Sequence, residues 1–295
     1  MKNLQLKRMN NCSFQTMIDV WNEGFQGYFV DMTLSLDRFL TRISSEGILP
    51  EHSLVAFVDD KAVGFLLNGI RSNNGKKMAW NGGTAVIPAY RGKGVGRSLV
   101  KAAVELYKAE AVNIATLEAI NNNDPAIALY KDCGYEIVDE LTFLQTEERI
   151  QNFDVRSFFK MRSATLREVS LLKFYPKLVP WQQNWQSLAR TRGEALIVSD
   201  DAGVAVGYAL FKKKLDGEGN LADIGLCQCE VTPNRNDAAD IVAHALRAVF
   251  LTEPGRYRRS TDNFRKSNQL VVELLKSVGF STFIEQVHMI RVMES

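Results

Sequence analysis

The sequence predicts an α/β protein with a mixed sheet, built twice in one chain as two tandem domains. Three observations carry that expectation. At 295 residues the chain is too long for one small core and suits two. Short apolar runs bounded by acidic or glycine turns alternate with helical patterns along both halves. A set of landmarks also recurs in the same order. Val63-Gly64-Phe65-Leu66-Leu67 after Asp59-Asp60-Lys61 returns as Val206-Gly207-Tyr208-Ala209-Leu210 after Asp200-Asp201-Ala202-Gly203. Val86-Ile87-Pro88 returns as Val231-Thr232-Pro233, and Cys133-Gly134-Tyr135 as Val278-Gly279-Phe280. Pro88 to Gly134 and Pro233 to Gly279 both span 46 positions; Asn123 precedes Gly134 by 11, as Asn268 precedes Gly279. Such a period is domain duplication, because solenoids repeat every ~20–50 residues.

The first half supplies the elements in order. Helical patterns run over Phe14–Asn22 and Leu36–Ser44. Ser53–Val58 and Val63–Ile70 are predicted strands around an acidic turn, and Gly83–Ile87 is a strand stopped by Pro88. From Gly94 to Glu110, Val95, Leu99, Val100, Ala103, Val104 and Tyr107 share one helical face. Ile114–Ala119 is a short buried strand. Asp124 as a cap and Pro125 in the first turn open a helix that Gly134 ends, and Tyr135–Leu144 closes as a strand. The join is expected near Thr146–Gln151, giving domains 1–147 and 148–295.

Composition narrows the function. Hydrophobic residues make up 46% and charged residues 24%, ordinary for a globular protein. A formal net charge of +2 gives no reason to expect a nucleic-acid partner, and Lys212-Lys213-Lys214 and Arg256 to Arg259 are read as solvated strand ends or loops. The polar start, Met1 to Asn11, lacks a signal's apolar core, and no run approaches the ~20 apolar residues of a membrane span. Cys12, Cys133, Cys227 and Cys229 have neither disulfide-framework nor zinc spacing, and His52, His244 and His288 are far apart. No metal and no membrane are expected, and a reducing cytoplasm is the natural setting; the oligomeric state is open.

The most informative segment is Pro88-Ala89-Tyr90-Arg91-Gly92-Lys93-Gly94-Val95-Gly96-Arg97-Ser98-Leu99. Three glycines between a strand and an amphipathic helix allow positive φ and close backbone approach, so successive N–H groups can face one anion. The helix N-terminus adds unpaired N–H groups and its positive dipole end, and Arg91, Lys93 and Arg97 add charge. This chemistry suits a pyrophosphate. It is not a Walker A loop, since Gly96 is followed by Arg97-Ser98 with no lysine. It is not the dinucleotide fingerprint either, because the glycines stand at 92, 94 and 96 after several antiparallel-type strands.

Arg91, Gly94 and Gly96 carry the R/Q-x-x-G-x-G/A hallmark, and the segment resembles the GNAT superfamily of N-acetyltransferases over about Ser53–Leu144. The resemblance implies two tandem GNAT-like acyl-CoA N-acyltransferase domains, with acetyl-CoA as co-substrate. It implies that Arg91, Gly92, Lys93, Gly94, Val95, Gly96 and Arg97 hold the CoA pyrophosphate and that Thr84, Ala85, Val86 and Ile87 meet the pantetheine arm. Leu117-Glu118-Ala119 followed by Asn123, Ala126, Leu129-Tyr130 and Gly134-Tyr135 resembles a second pattern of that family. It implies that Asn123 contacts CoA, that Tyr130 points at the thioester sulfur and that Glu118 is a candidate base. Each also has a structural reading: Tyr130 as a core aromatic, Glu118 as a paired strand-end carboxylate, Asn123 as loop and cap chemistry. A tyrosine near pKa 10 is a weaker acid than a thiol near 8.5, so full proton transfer is uphill by about 2 kcal/mol and Tyr130 is better read as a hydrogen-bond donor.

At an offset of 145 the second half has lost this chemistry. Arg91 falls on Asn236, Gly94 on Ala239, Gly96 on Ile241, Arg97 on Val242, Tyr130 on Leu275 and Glu118 on Asn263; only Asn268 is kept. The second domain is expected to be degenerate, covering or walling the first, with Phe158-Phe159, Phe174-Tyr175, Trp181 and Trp185 as aromatic material. Residues Trp21 to Leu40 should form the acceptor lip, where Phe25, Tyr28, Phe29 and Met32 offer an apolar wall and Glu23 or Asp31 could attract a cation. The expected acceptor is a primary amine of a small molecule or a peptide N-terminus. A non-catalytic acyl-CoA sensor and a scaffold are the alternatives.

Overall fold

The computed structural model describes residues 3–73, 75–148, 150, 153, 155, 159–251 and 256–293. Of the residues singled out above, Met1, Arg149, Gln151 and Phe158 lie outside these. The elements run β1 (Leu4–Arg8), α1 (Phe14–Gly24), α2 (Leu36–Glu46), β2 (Leu54–Val58), β3 (Lys61–Asn73), β4 (Lys76–Val86), α3 (Val95–Ala109), β5 (Ile114–Ile120) and α4 (Asp124–Asp132). They continue as β6 (Glu136–Thr146), β7 (Lys160–Ala164), α5 (Leu166–Val169), α6 (Trp185–Arg190), β8 (Glu194–Ser199), β9 (Ala205–Leu215), β10 (Leu221–Val231), α7 (Ala238–Phe250), β11 (Arg258–Thr261), β12 (Phe264–Arg265), α8 (Gln269–Ser277) and β13 (Ser281–Val292).

The chain forms two compact units, Met1–Val138 with Val287–Ser295, and Asp139–Gln286. In the first, the strand order is β1-β2-β3-β4-β5 and then the end of β13. Strands β1 to β4 pair antiparallel, and β4 pairs with β5 in parallel. α1 starts where the Ser13 side chain accepts the Thr16 N–H, and α2 where Ser35 accepts that of Arg38; Gly47 at φ 70° ends α2. On one face of the sheet, Trp21 of α1 stacks on Phe65 at 5.2 Å and meets Phe39 of α2 edge-on at 5.7 Å. On the other, Leu99, Val100, Ala103 and Tyr107 of α3 pack with Leu66, Ala79 and Leu117.

That second core explains a departure from the expected domain boundaries of 1–147 and 148–295. Val287, Met289 and Met293 are buried in it, and the Met293 N–H donates to the Asn113 carbonyl at 2.9 Å. The first unit thus takes its last strand from the far end of the chain.

The second unit has the strand order β6-β11-β10-β9-β8-β7, with β12 on β6. β8, β9 and β10 pair antiparallel and β10 pairs with β11 in parallel, which repeats the plan of β2, β3, β4 and β5. Leu246, Val249 and Phe250 of α7 pack on Leu226 and Ile224 of β10.

Most element ends shift by two or three residues from the sequence expectation, and three differences are more than that. Strand β1 was not foreseen. β4 begins at Lys76 instead of Gly83, because Gly82 and Gly83 are an irregularity inside a longer strand and not its start. The cap of α4 is Asn123, whose side chain accepts the Ala126 N–H, and Asp124 is the first helical residue.

Met289 carries no exposed surface, so Met289→Ala should destabilise the protein by about 2–5 kcal/mol, measured by urea unfolding. A chain shortened to residues 1–147 lacks Val287, Met289 and Met293 and should show no cooperative unfolding transition in the same assay.

Candidate active site

The site begins with a fault in β4. Pairing with β5 stops at Asn81 opposite Leu117, whereas β4 continues to Val86 and β5 to Ile120. At this point β4 also carries one extra residue against β3, between Asn81 opposite Asn68 and Gly83 opposite Leu67. The Asn81 side chain holds the irregularity: its Oδ1 accepts the Gly83 N–H at 3.1 Å, and its Nδ2 donates to Thr84 Oγ1 at 2.9 Å. Gly82 has no alternative, since a Cβ there would stand 2.5 Å from the Trp80 ring. Ile87 donates its N–H to the Val63 carbonyl, so strand alternation turns the N–H groups of Thr84 and Val86 to the open side.

The gap between the strands opens a cavity of about 630 Å³, well within the range of small-molecule sites. Gly94, Val95, Gly96 and Arg97 line one end, Thr84, Ala85 and Val86 the side, and Tyr130 and Asn123 the α4 wall. Phe25, Tyr28 and Phe29 close the cavity from the segment after α1. Gly94 caps α3 at φ 85°, a conformation that L side chains rarely adopt, and a Cβ there would project into open space. Ser98 is the first N–H to bond back into α3, to Gly94, which leaves the N–H groups of Val95, Gly96 and Arg97 outside the helical ladder. Gly96 has a different reason to be glycine: a Cβ would press Leu129 of α4 at 3.3 Å. A cradle without side chains at a helix N-terminus fits a pyrophosphate.

The three basic side chains of the loop fare differently. Arg91 is a strut, donating to the carbonyls of Val86, Gly24 and Gln26 at 2.9, 2.9 and 3.0 Å, so it ties the end of α1 to β4 and is not a free phosphate cation. Arg97 pairs with Asp132 at 2.6 Å, with both side chains about half exposed. Such pairs are worth ~0–1 kcal/mol, so Arg97 can turn to an anion at little cost. Lys93 lies beside the Tyr90 ring and is not part of the cavity lining.

Tyr130 is buried, and burial pushes its hydroxyl above the usual tyrosine value against hydrogen bonds to Thr84 and Asn81 that lower it. Burial likewise raises Tyr28, which hydrogen-bonds Asn123. Both hydroxyls therefore stay protonated at neutral pH. Asn81 escaped the sequence reading, since an asparagine before two glycines reads as turn chemistry.

Several expected residues sit apart from the cavity. Glu118 Oε2 accepts the Trp80 indole N–H at 2.7 Å, and Glu118 is not among the lining residues. Met32 gives its carbonyl to the Trp21 indole at 2.6 Å. Ile87, with its N–H on β3, faces away. Glu23 stands 3.3 Å from Lys61, and Asp31 accepts the Thr33 N–H. Among the described residues no group of His, Cys, Asp and Glu is placed to hold a metal ion, and no helix is long and apolar enough to cross a membrane.

In the second unit the matching places are filled. Asp237 stands at the N-cap of α7 with its carboxylate on Arg235 at 2.6 Å, and Asp240 stands in the first turn, so acidic side chains flank that helix end. Ile241 packs so closely on Gly207 that a Cβ there would come within 2.5 Å of it. Between β10 and β12, the largely buried Glu230 pairs with Arg265 at 2.5 Å. Burial raises the Glu230 carboxyl while Arg265 and Asn268 pull it down. At the 145 offset this ion pair replaces Ala85 and Ile120.

Residues 14–135 match the model of the Acetyltransferase (GNAT) family. Whole-chain likeness extends to a tandem GNAT protein from the clavulanic acid biosynthesis pathway, at 14% identity, 99% of this chain, 100% of that one and a TM-score of 0.63. A GCN5-related N-acetyltransferase from Sphaerobacter thermophilus gives 13% identity, 100% and 97% coverage and a TM-score of 0.64. Both show that the chain has the tandem GNAT fold. Comparison with curated proteins finds no match.

Gly94→Val should abolish acetyl-CoA binding in calorimetry, because the new side chain is strained at φ 85° and fills the cradle. Ala239→Val at the matching place in α7 should leave that binding unchanged.

Proposed function

We propose that the first unit transfers the acetyl group of acetyl-CoA to a primary amine, with the second unit as a degenerate copy that binds no CoA. What carries this reading is one continuous cavity that joins the open N-terminus of α3 to the Tyr130 hydroxyl. The N–H groups of Val95, Gly96 and Arg97 would hold the pyrophosphate, with Arg97 as the movable cation. The open edge of β4 at Thr84 and Val86 would pair with the amide groups of the pantetheine arm, and the Val86 N–H is the candidate donor to the tetrahedral oxyanion. Acetyl-CoA supplies an activated acyl group on a thiol leaving group.

Tyr130 donates a hydrogen bond to the developing thiolate. Its raised pKa rules against the opposite role, a base that withdraws the amine proton. Thr84 and Asn81 keep the phenol aimed across the gap. Glu118 is read as the partner that fixes Trp80 beside Gly82, one step behind the cavity wall.

Tyr130→Phe should lower kcat by about 10²-fold while the affinity for acetyl-CoA, measured by calorimetry, stays within about threefold. Because the hydroxyl of the native protein deprotonates only above its ordinary pKa of about 10, the donor is intact at every lower pH. The kcat profile should therefore show no alkaline fall below about pH 10 that Tyr130→Phe abolishes. Wild-type kcat in the variant would defeat the assignment.

A further inference from the structure

The charges around the cavity bear on which amine it accepts. Among the described residues that line it there is no Asp or Glu, and its only charged side chains are Arg91 and Arg97. Arg91 is held on the acceptor side by the carbonyls of Gly24 and Gln26. Of the carboxylates on neighbouring segments, Glu23 pairs with Lys61, Asp31 accepts from Thr33, Glu118 from Trp80 and Asp132 pairs with Arg97, while Asp124 is exposed to solvent. The remaining polar side chains, Tyr28, Thr84, Asn123 and Tyr130, are uncharged. The wall itself is aromatic: Phe25 meets Tyr28 at 5.1 Å and Tyr28 meets Phe29 at 5.3 Å, with Phe29 52% exposed at the rim.

An ammonium entering here would shed water with no carboxylate to replace it, beside a fixed guanidinium. A neutral amine escapes that cost. It also needs no external base. As the C–N bond forms and the C–S bond breaks, the nitrogen ends one proton poorer and the sulfur one richer, so the exchange balances. Neutral fraction then decides among amines. An α-amino group titrates near about 7.7–8.0 and a lysine-type amine near about 10.4, so at pH 7 the neutral share differs by roughly 300-fold.

Resting on the acetyltransfer reading, we infer that the acceptor is a weakly basic α-amine beside an amide carbonyl, on a residue whose side chain is apolar or aromatic. The chemistry is that of an amino-acid amide or of a peptide that begins with such a residue. It excludes polyamines, aminoglycosides and lysine side chains.

The test uses the full chain, measures release of the CoA thiol and compares matched acceptors. Phenylalaninamide and 2-phenylethylamine share a phenyl body but differ in basicity; a phenylalanine-led tetrapeptide and spermidine complete the set. At pH 7 phenylalaninamide or the tetrapeptide should exceed 2-phenylethylamine at least tenfold in kcat/KM, and spermidine should give no turnover. For 2-phenylethylamine, kcat/KM should climb about tenfold per pH unit through neutrality, following its neutral form. Whichever of phenylalaninamide and the tetrapeptide reacts faster tells a small acceptor from a peptide. Turnover of spermidine, or a flat pH profile for 2-phenylethylamine, would overturn the inference. So would silence from all four while calorimetry shows acetyl-CoA bound, which leaves the cofactor reading standing. Failure to bind acetyl-CoA at all would instead defeat the proposed function.

Discussion

One extra residue in β4 organises the first unit. Where Gly82 interrupts the register with β3, pairing of β4 with β5 ends, and the cavity opens beside that gap. Main-chain groups of β4 that a continuous sheet would have consumed are left for a ligand, and α4 can bring Tyr130 and Asn123 to the opposite wall. The irregularity is held from several sides. Asn81 bonds across it, Trp80 fills the space over Gly82, and Arg42 of α2 donates to the Gly82 carbonyl at 3.0 Å.

The buried polar groups around this point form a connected set. Tyr107 donates to Asn68 Oδ1 at 2.5 Å, on the β3 side of the irregularity, and Asn68 in turn takes Ser53 and His52 as partners. Tyr135 hydrogen-bonds Tyr107, and its ring stands 6.0 Å from that of Tyr130. Burial holds all three phenols protonated. Satisfied networks of this kind rigidify a core, because each unmade bond in a dry interior is costly. Through the Tyr135 ring this network packs against Tyr130.

The two units show what duplication leaves free to change. Each keeps the strand plan and a helix after the parallel-paired strand, since the hydrophobic core demands both. Among the described residues the first has a bare helix end and an open slot beside it. In the second, Asp237 and Asp240 stand at the helix end and the Glu230–Arg265 pair fills the space between β10 and β12. A cavity lined with glycine and backbone adds little to stability, so the core does not require it to stay open.

The repeat, the helices and the glycine-rich turn before α3 were legible in the sequence because each rests on local chemistry. Glycine at a positive φ, a cap before a helix and apolar spacing on one face are properties of neighbouring residues. The absence of those glycines from the matching stretch of the second half was legible for the same reason. Tertiary structure alone decided matters that depend on residues far apart in the chain. It returned Val287, Met289 and Met293 to the first core, committed Arg91 to the end of α1 and turned Glu118 toward Trp80. It also made Asn81 and Gly82 the origin of the cavity, where the sequence offered only a turn. A side chain's type states which partners it can take; which one it meets is settled by packing.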